Sequence, residues 1–358
     1  MAALIAGVVL AAACPQAGRA ADPQPAGGSI ESDGTVDVPG FRLPPSIYLS
    51  DEAKKTLPRR PTDPEAPMLQ ILATGQAGAM RARVGEFMGP KIDKLKATYD
   101  IATSTGAIAG VPAVFMSPAK GVAKAKASKI MLDLPGGGFV MGTANGTGMV
   151  EAIPLVGLTG VQAVSITYRQ APEFAYPAAT DDIVMVYREL LKTYRPEDIV
   201  IFGCSAGGLL TAEAMARFQK EGLPLPAAIG IFCASADARW GGDSRSYSRP
   251  FQALPAQDGE RRYFKAEDLT DPLASPILSP EMLKRFPPTL IVTATRAQEL
   301  SSAVNTHREL VKAGVDAELH VWDGLGHAFF YDASLPESRE AFDVMAKFFS
   351  AHLKLKSE

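Results

Sequence analysis

Only three cysteines occur in 358 residues, at positions 14, 204 and 233, which rules out a disulfide framework and a cysteine-rich zinc site. Charge of one sign is equally scarce. With 36 basic and 39 acidic residues the formal net charge is −3, so there is no electrostatic case for a nucleic-acid partner. The one basic stretch, "KGVAKAKASK" at 120–129, reads as a solvated loop between strands. The apolar segment from Ala2 to Ala13 is too short to cross a bilayer, so no transmembrane span is expected. No internal repeat is found. Histidine is limited to four positions, which narrows any search for a general base.

What is present is the composition of a globular protein: 47% hydrophobic and 21% charged residues exclude general disorder. Residues 1–20, "MAALIAGVVLAAACPQAGRA", have the short apolar core and small-residue end of an export signal, without a basic start. Export to a periplasmic or extracellular location is the expectation. Lipid attachment at Cys14 and cytoplasmic residence are the alternatives. Residues 21–40 are rich in Pro, Gly and small polar residues and read as a flexible lead-in to one domain spanning 41–358. Cys204 and Cys233 both fall near predicted strand ends, either as two buried thiols or as a single bridge.

Between about 45 and 95 the pattern is helical, with Met68, Met80 and Met88 on apolar faces that could line a pocket or simply pack on the core. "TYDIATS" and "VPAVFMSP" suggest a β-hairpin. Beyond it, nearly all-apolar strands alternate with helices, broken by a polar insertion from about 237 to 270. Such alternation predicts an α/β fold with a mostly parallel sheet covered on both faces, whose functional residues lie on loops at the carboxyl ends of strands.

At one such end stands "GCSAGG" (203–208), where Ser205 sits between a strand and a helix, flanked by Gly203 and Gly207. That placement is a sharp turn which lifts a hydroxyl clear of the backbone, beside the positive end of a helix dipole. A serine hydroxyl needs a base. Of the four histidines, His307 and His352 fall in predicted helices and His320 in a strand, leaving His327 in a loop after the last strand. The carboxylate that would orient it is expected in "TRAQELSS", where Ala297 stands at the anticipated position and Glu299 two places on. Asp237 and Asp323 are the other candidates. "LPGGGF" supplies a glycine run after a strand, and the N–H groups of Gly137, Gly138 and Ala206 are candidate donors for a developing oxyanion.

"PGGGF" (135–139), "TYRQAPE" (167–173), "YPAATDD" (176–182), "GCSAGG" (203–208), "DPLASPIL" (271–278) and "GLGHAFF" (324–330), in this order, resemble the α/β-hydrolase fold and within it the hormone-sensitive-lipase-like esterases. The ε-lactone hydrolases and acetyl-hydrolases are neighbouring groups. The resemblance implies a helical cap and a serine carboxylic-ester hydrolase with no cofactor or metal, whose partner is a small ester or lactone. It also implies that Arg169, Glu173, Asp181 and Asp182 serve the scaffold. Three positions depart from the family pattern: Pro135 replaces the His before the glycines, Cys204 the Asp or Thr before the serine, and the acid is shifted. A binding protein of the same fold with impaired catalysis is the alternative, and an amidase is a further rival.

Overall fold

The structure, a computed structural model, describes residues 29–38, 43–57, 77–248 and 263–355. Two units separate at Pro44. In the first, Ser29–Ile30 (β1) and Val36–Asp37 (β2) form a small antiparallel hairpin. The expected signal and the lipid-anchor position Cys14 lie outside the described residues, as does Met68.

The second unit opens with helix α1 (Asp51–Thr56), capped by the Ser50 hydroxyl, which accepts from the Ala53 N–H at 3.0 Å. Glu337 accepts from both the N–H and the hydroxyl of Ser50, tying this helix to the C-terminal one. Helix α2 (Ala77–Tyr99) buries Met80, Met88, Ile92 and Leu95. The last three are spaced i, i+4, i+7, so they form one stripe along the helix.

Strands β3 (Ile101–Ile108) and β4 (Val111–Pro118) form the anticipated hairpin. Ala109 and Gly110 both take positive φ, the twist a two-residue hairpin loop requires. The remaining strands are β5 (Ile130–Leu134), β6 (Gln162–Ile166), β7 (Ile199–Cys204), β8 (Ala228–Phe232), β9 (Thr289–Ala294) and β10 (Ala317–Trp322). Their order across the sheet is β10-β9-β8-β7-β5-β6-β4-β3, parallel from β10 to β6 and antiparallel beyond.

Strand period 2 divides the core. In β7, Ile199 and Ile201 enter one apolar cluster, while Val200, Phe202 and Cys204 enter the other. Helices α4 (Ala178–Leu190) and α5 (Ala206–Lys220) contribute to the first cluster. Helix α3 (Met149–Thr159) and the C-terminal helix (Pro336–His352) contribute to the second. Burial on both faces explains why these strands read as unbroken apolar runs. Among the described residues, no helix is long and apolar enough to cross a membrane.

The scaffold pairs implied by the resemblance are present. Arg169 donates to Asp182 at 2.8 Å, Arg217 to Asp181 at 2.7 Å and Arg81 to Glu173 at 2.8 Å. Of the insertion, a short helix (Asp243–Tyr247) and residues from Tyr263 onward are described. Phe139 of the glycine loop stacks on Tyr263, ring centroids 4.6 Å apart. Cys204 and Cys233 are buried free thiols, so the disulfide alternative is not realised.

Candidate active site

Chain order reverses at β5, with β6 on one side and β7 on the other. The loops that leave β5 and β7 therefore open a crevice at the carboxyl edge of the sheet. Residues 136–138 occupy the first loop and Ser205 the second. Ser205 has φ 58° and ψ −120°, a conformation that costs a non-glycine residue about 1–3 kcal/mol and that the surroundings must enforce. Its N–H donates to the Phe232 carbonyl at 2.8 Å, and its own carbonyl accepts from the Leu209 N–H at 3.0 Å, so the helix starts without a spacer.

Gly207 permits this. A β-carbon there would sit 1.7 Å from the Leu134 carbonyl oxygen, which is backbone and cannot swing away. Gly207→Ala is therefore expected to displace helix α5 or the glycine loop. The loss should be roughly 1–3 kcal/mol of stability and most of any activity that depends on Ser205. Calorimetry and an esterase assay on the same preparation check this, and a variant with wild-type Tm and rate would show slack in the turn.

Across the crevice, the Ser205 hydroxyl lies 2.9 Å from His327 Nε2, and His327 Nδ1 lies 2.9 Å from Glu299 Oε2. Glu299 is fully buried, and its other oxygen accepts from the Thr293 hydroxyl at 3.1 Å. A buried carboxylate facing Nδ1 holds the proton there and leaves the Nε2 lone pair for the serine hydroxyl. Ala328, immediately after the histidine, has φ 54° and donates its N–H to Cys233 Sγ at 3.2 Å, which fixes the loop.

The other candidates are placed elsewhere. Asp237 closes on Arg239 at 2.7 and 2.8 Å, while Asp323 accepts from the hydroxyls of Ser46 and Thr295. Both carboxylates are thus engaged away from the imidazole, so Asp237→Asn is expected to leave kcat/KM unchanged in an ester assay. His307 bonds the Ala317 carbonyl, His320 pairs with Glu318, and His352 packs on Phe348.

Among the described residues, no protein acceptor takes the N–H of Gly137, Gly138 or Ala206. The Gly137 carbonyl is used instead, accepting from Val140 and Met141 at 3.1 and 2.8 Å. Where the family has a histidine, Pro135 offers its carbonyl to the Tyr168 hydroxyl at 2.6 Å, so the loop is supported from β6's side. Sequence reasoning missed this tyrosine, although it lies inside the "TYRQAPE" segment.

A cavity of about 220 Å³ reaches His327 and is lined by Thr56, Leu57, Arg296, Leu325, Phe329 and Leu335 among others. Neither Met80 nor Met88 lines it. Both are buried, and Met88 packs in the cluster that contains helix α3, the core-packing alternative of the sequence reading. Cys233, Glu299 and His327 hold three potential metal donors within 4.8 Å of one another. The hydrogen bonds among His327, Glu299, Ser205 and Ala328 already use these atoms.

Several further carboxylates are buried outside this chain of contacts, Asp133, Glu151 and Glu213 among them. Burial pushes Glu151 up to about 7 and holds Asp133 and Glu213 well above the usual carboxylate range. Folding therefore takes up protons relative to the unfolded chain at neutral pH, and stability should rise as pH falls from about 8 toward 6. Asp198, Asp323 and Glu221 are held low, chiefly by hydrogen bonds to cations or hydroxyls, and their stabilisation is lost as pH falls through their lowered values. A Tm maximum on the acidic side of neutrality is expected in calorimetry. A Tm that climbs steadily from pH 6 to 8 contradicts this assignment.

A family model for the α/β-hydrolase fold matches residues 131–331. An acetyl-hydrolase of Streptomyces hygroscopicus is 30% identical over 226 residues, 62% of this chain and 75% of that protein. Among solved structures, esterase E25 superposes with a TM-score of 0.76 at 28% identity, covering 89% of this chain and 98% of the other. An esterase of the bacterial hormone-sensitive lipase family superposes with a TM-score of 0.67 at 27% identity, covering 80% and 99%. With more than half its length matched by the family model and its sheet edge built as described, this chain belongs to the α/β-hydrolase fold family.

Proposed function

We propose that the protein is a serine carboxylic-ester hydrolase acting on short- to medium-chain acyl esters or lactones through an acyl-enzyme. The observation that carries this is the continuous hydrogen-bonded chain Ser205–His327–Glu299, with donor N–H groups free beside it. His327 Nε2 takes the hydroxyl proton as Ser205 Oγ attacks the ester carbonyl. The carbonyl oxygen gains negative charge and is met by the N–H groups of Gly137, Gly138 and Ala206. Removing one such donor typically costs about 3–4 kcal/mol of transition-state stabilisation. The protonated imidazole, held against the Glu299 carboxylate, gives its proton to the leaving alkoxide. Water then attacks the acyl carbon as His327 takes its proton, the acyl–Oγ bond breaks to release the acid, and His327 returns the proton to Ser205 Oγ.

The acetyl-hydrolase relative supports a small acyl group. A fluorophosphonate probe is expected to label Ser205. Nitrophenyl acetate, butyrate and octanoate, a lactone and a matched anilide would then rank acyl length, ring esters and amides. Folded protein that neither labels nor turns over any ester would instead favour the binding-protein reading. We propose separately that residues 1–20 direct export, for which a mature N-terminus near Ala21 is the expected result of N-terminal sequencing.

A further inference from the structure

The three loops that carry the site do not touch one another through their functional atoms alone. Beneath them lies one side chain, Glu151, in the first turn of helix α3 and 1% exposed. Its Oε1 accepts the Gly136 N–H at 2.9 Å and the Tyr331 hydroxyl, and its Oε2 accepts the Cys204 N–H at 3.0 Å. Gly136 precedes the candidate oxyanion donors, Cys204 precedes Ser205, and Tyr331 lies four residues after His327. A single carboxylate therefore bonds the glycine loop, the serine turn and the histidine loop at once. The approach is close: a β-carbon on Gly136 would meet the Cys204 carbonyl at 2.7 Å and the Tyr331 hydroxyl at 2.8 Å. The neighbouring Thr147 hydroxyl donates to the Gly136 carbonyl at 2.6 Å, so the same helix end grips both sides of that residue.

We infer that Glu151 is a positioning residue for ester hydrolysis, setting the spacing between the oxyanion donors, the nucleophile and the base. This rests on the hydrolase reading above. The chemistry requires a carboxylate, because three donors converge and only an ionised acid accepts on both oxygens without presenting a proton. Asp133 is the companion that makes the buried charge tolerable. It lies beside Glu151 and favours that residue's ionised form, and its Oδ2 accepts from the Ser165 hydroxyl at 2.5 Å. Its Oδ1 has no donor among the described residues.

Glu151→Gln is the discriminating variant. It keeps the volume, but the amide must turn its NH₂ toward either the Cys204 N–H or the Gly136 N–H, setting donor against donor. With the full-length protein and nitrophenyl butyrate, kcat is expected to fall on the order of 10–100-fold, the scale of a small misplacement of reacting groups. KM should change little, and affinity for a trifluoromethyl-ketone transition-state analogue should fall in proportion to kcat. A residue serving only stability would lower Tm and leave kcat of the folded fraction alone.

Tyr331→Phe removes one donor and keeps the carboxylate, so a several-fold loss of kcat with the same KM is expected. This second variant decides the matter if Glu151→Gln does not fold. An active wild type whose Glu151→Gln or, failing that, Tyr331→Phe variant retains full kcat overturns the positioning role and leaves the hydrolase reading intact. A folded wild type inactive on every ester overturns both.

Discussion

Ser205→Ala is expected to abolish ester hydrolysis, with kcat falling on the order of 10⁶-fold, as when the nucleophile of a serine hydrolase is removed. The fold should survive, because alanine keeps the φ 58° turn enforced by the Phe232 carbonyl and by the close approach of helix α5. Only the oxygen is lost, and with it the 2.9 Å contact to His327. Two further readouts sharpen the expectation. Fluorophosphonate labelling should vanish, and the initial burst of nitrophenol that reports acyl-enzyme formation should vanish with it. Substrate binding should persist, because the substitution removes one hydroxyl and leaves the glycine loop and the backbone of the turn in place. A variant that still shows a burst would place the nucleophile elsewhere on this rim and remove Ser205 from the mechanism.

Much of this geometry was legible in the sequence because it is written in local signals. Strands buried on both faces must be apolar throughout, so the alternation that predicts a parallel sheet is visible by eye. Gly203 and Gly207 mark the turn because helix α5 has to pass the Leu134 carbonyl without side chains between them. His327 was reached by elimination among four histidines, an argument possible only because the chain carries so few.

What the sequence concealed is contact across long separations. Glu151 is a single acid in an otherwise apolar helical segment, and its bonds reach residues 15, 53 and 180 positions away. Nothing within its own neighbourhood names those partners. The observation available was that "MVEAIPLVG" places a carboxylate where the surrounding pattern calls for a buried face. Choosing among Glu299, Asp237 and Asp323 was unresolved for the same reason: all three follow strands at the correct edge, and only the path of each loop separates the one at the imidazole from the two held elsewhere.

That choice has the second large consequence. Glu299→Gln is expected to lower kcat by roughly 10⁴-fold, the scale found when a triad carboxylate becomes an amide. The carboxylate is buried, and its second oxygen is already engaged by the Thr293 hydroxyl. An amide that keeps its oxygen toward that hydroxyl must direct its NH₂ at His327 Nδ1. Nδ1 then becomes the acceptor and Nε2 carries the proton, so the imidazole meets the Ser205 hydroxyl with a donor where it needs a lone pair. The overall shape is preserved while the base is lost. Glu299→Asp withdraws the carboxylate by one methylene without changing its charge and should retain the correct tautomer, giving a rate between those of wild type and the amide. Measured on one ester across pH, the aspartate variant should keep the wild-type profile, and the amide variant should recover at high pH where hydroxide substitutes for the missing base. If Glu299→Gln kept full activity while Asp323→Asn or Asp237→Asn lost it, the carboxylate serving the imidazole in solution would be a different one, and the loop between β9 and helix Leu300–Lys312 would have to refold to admit it.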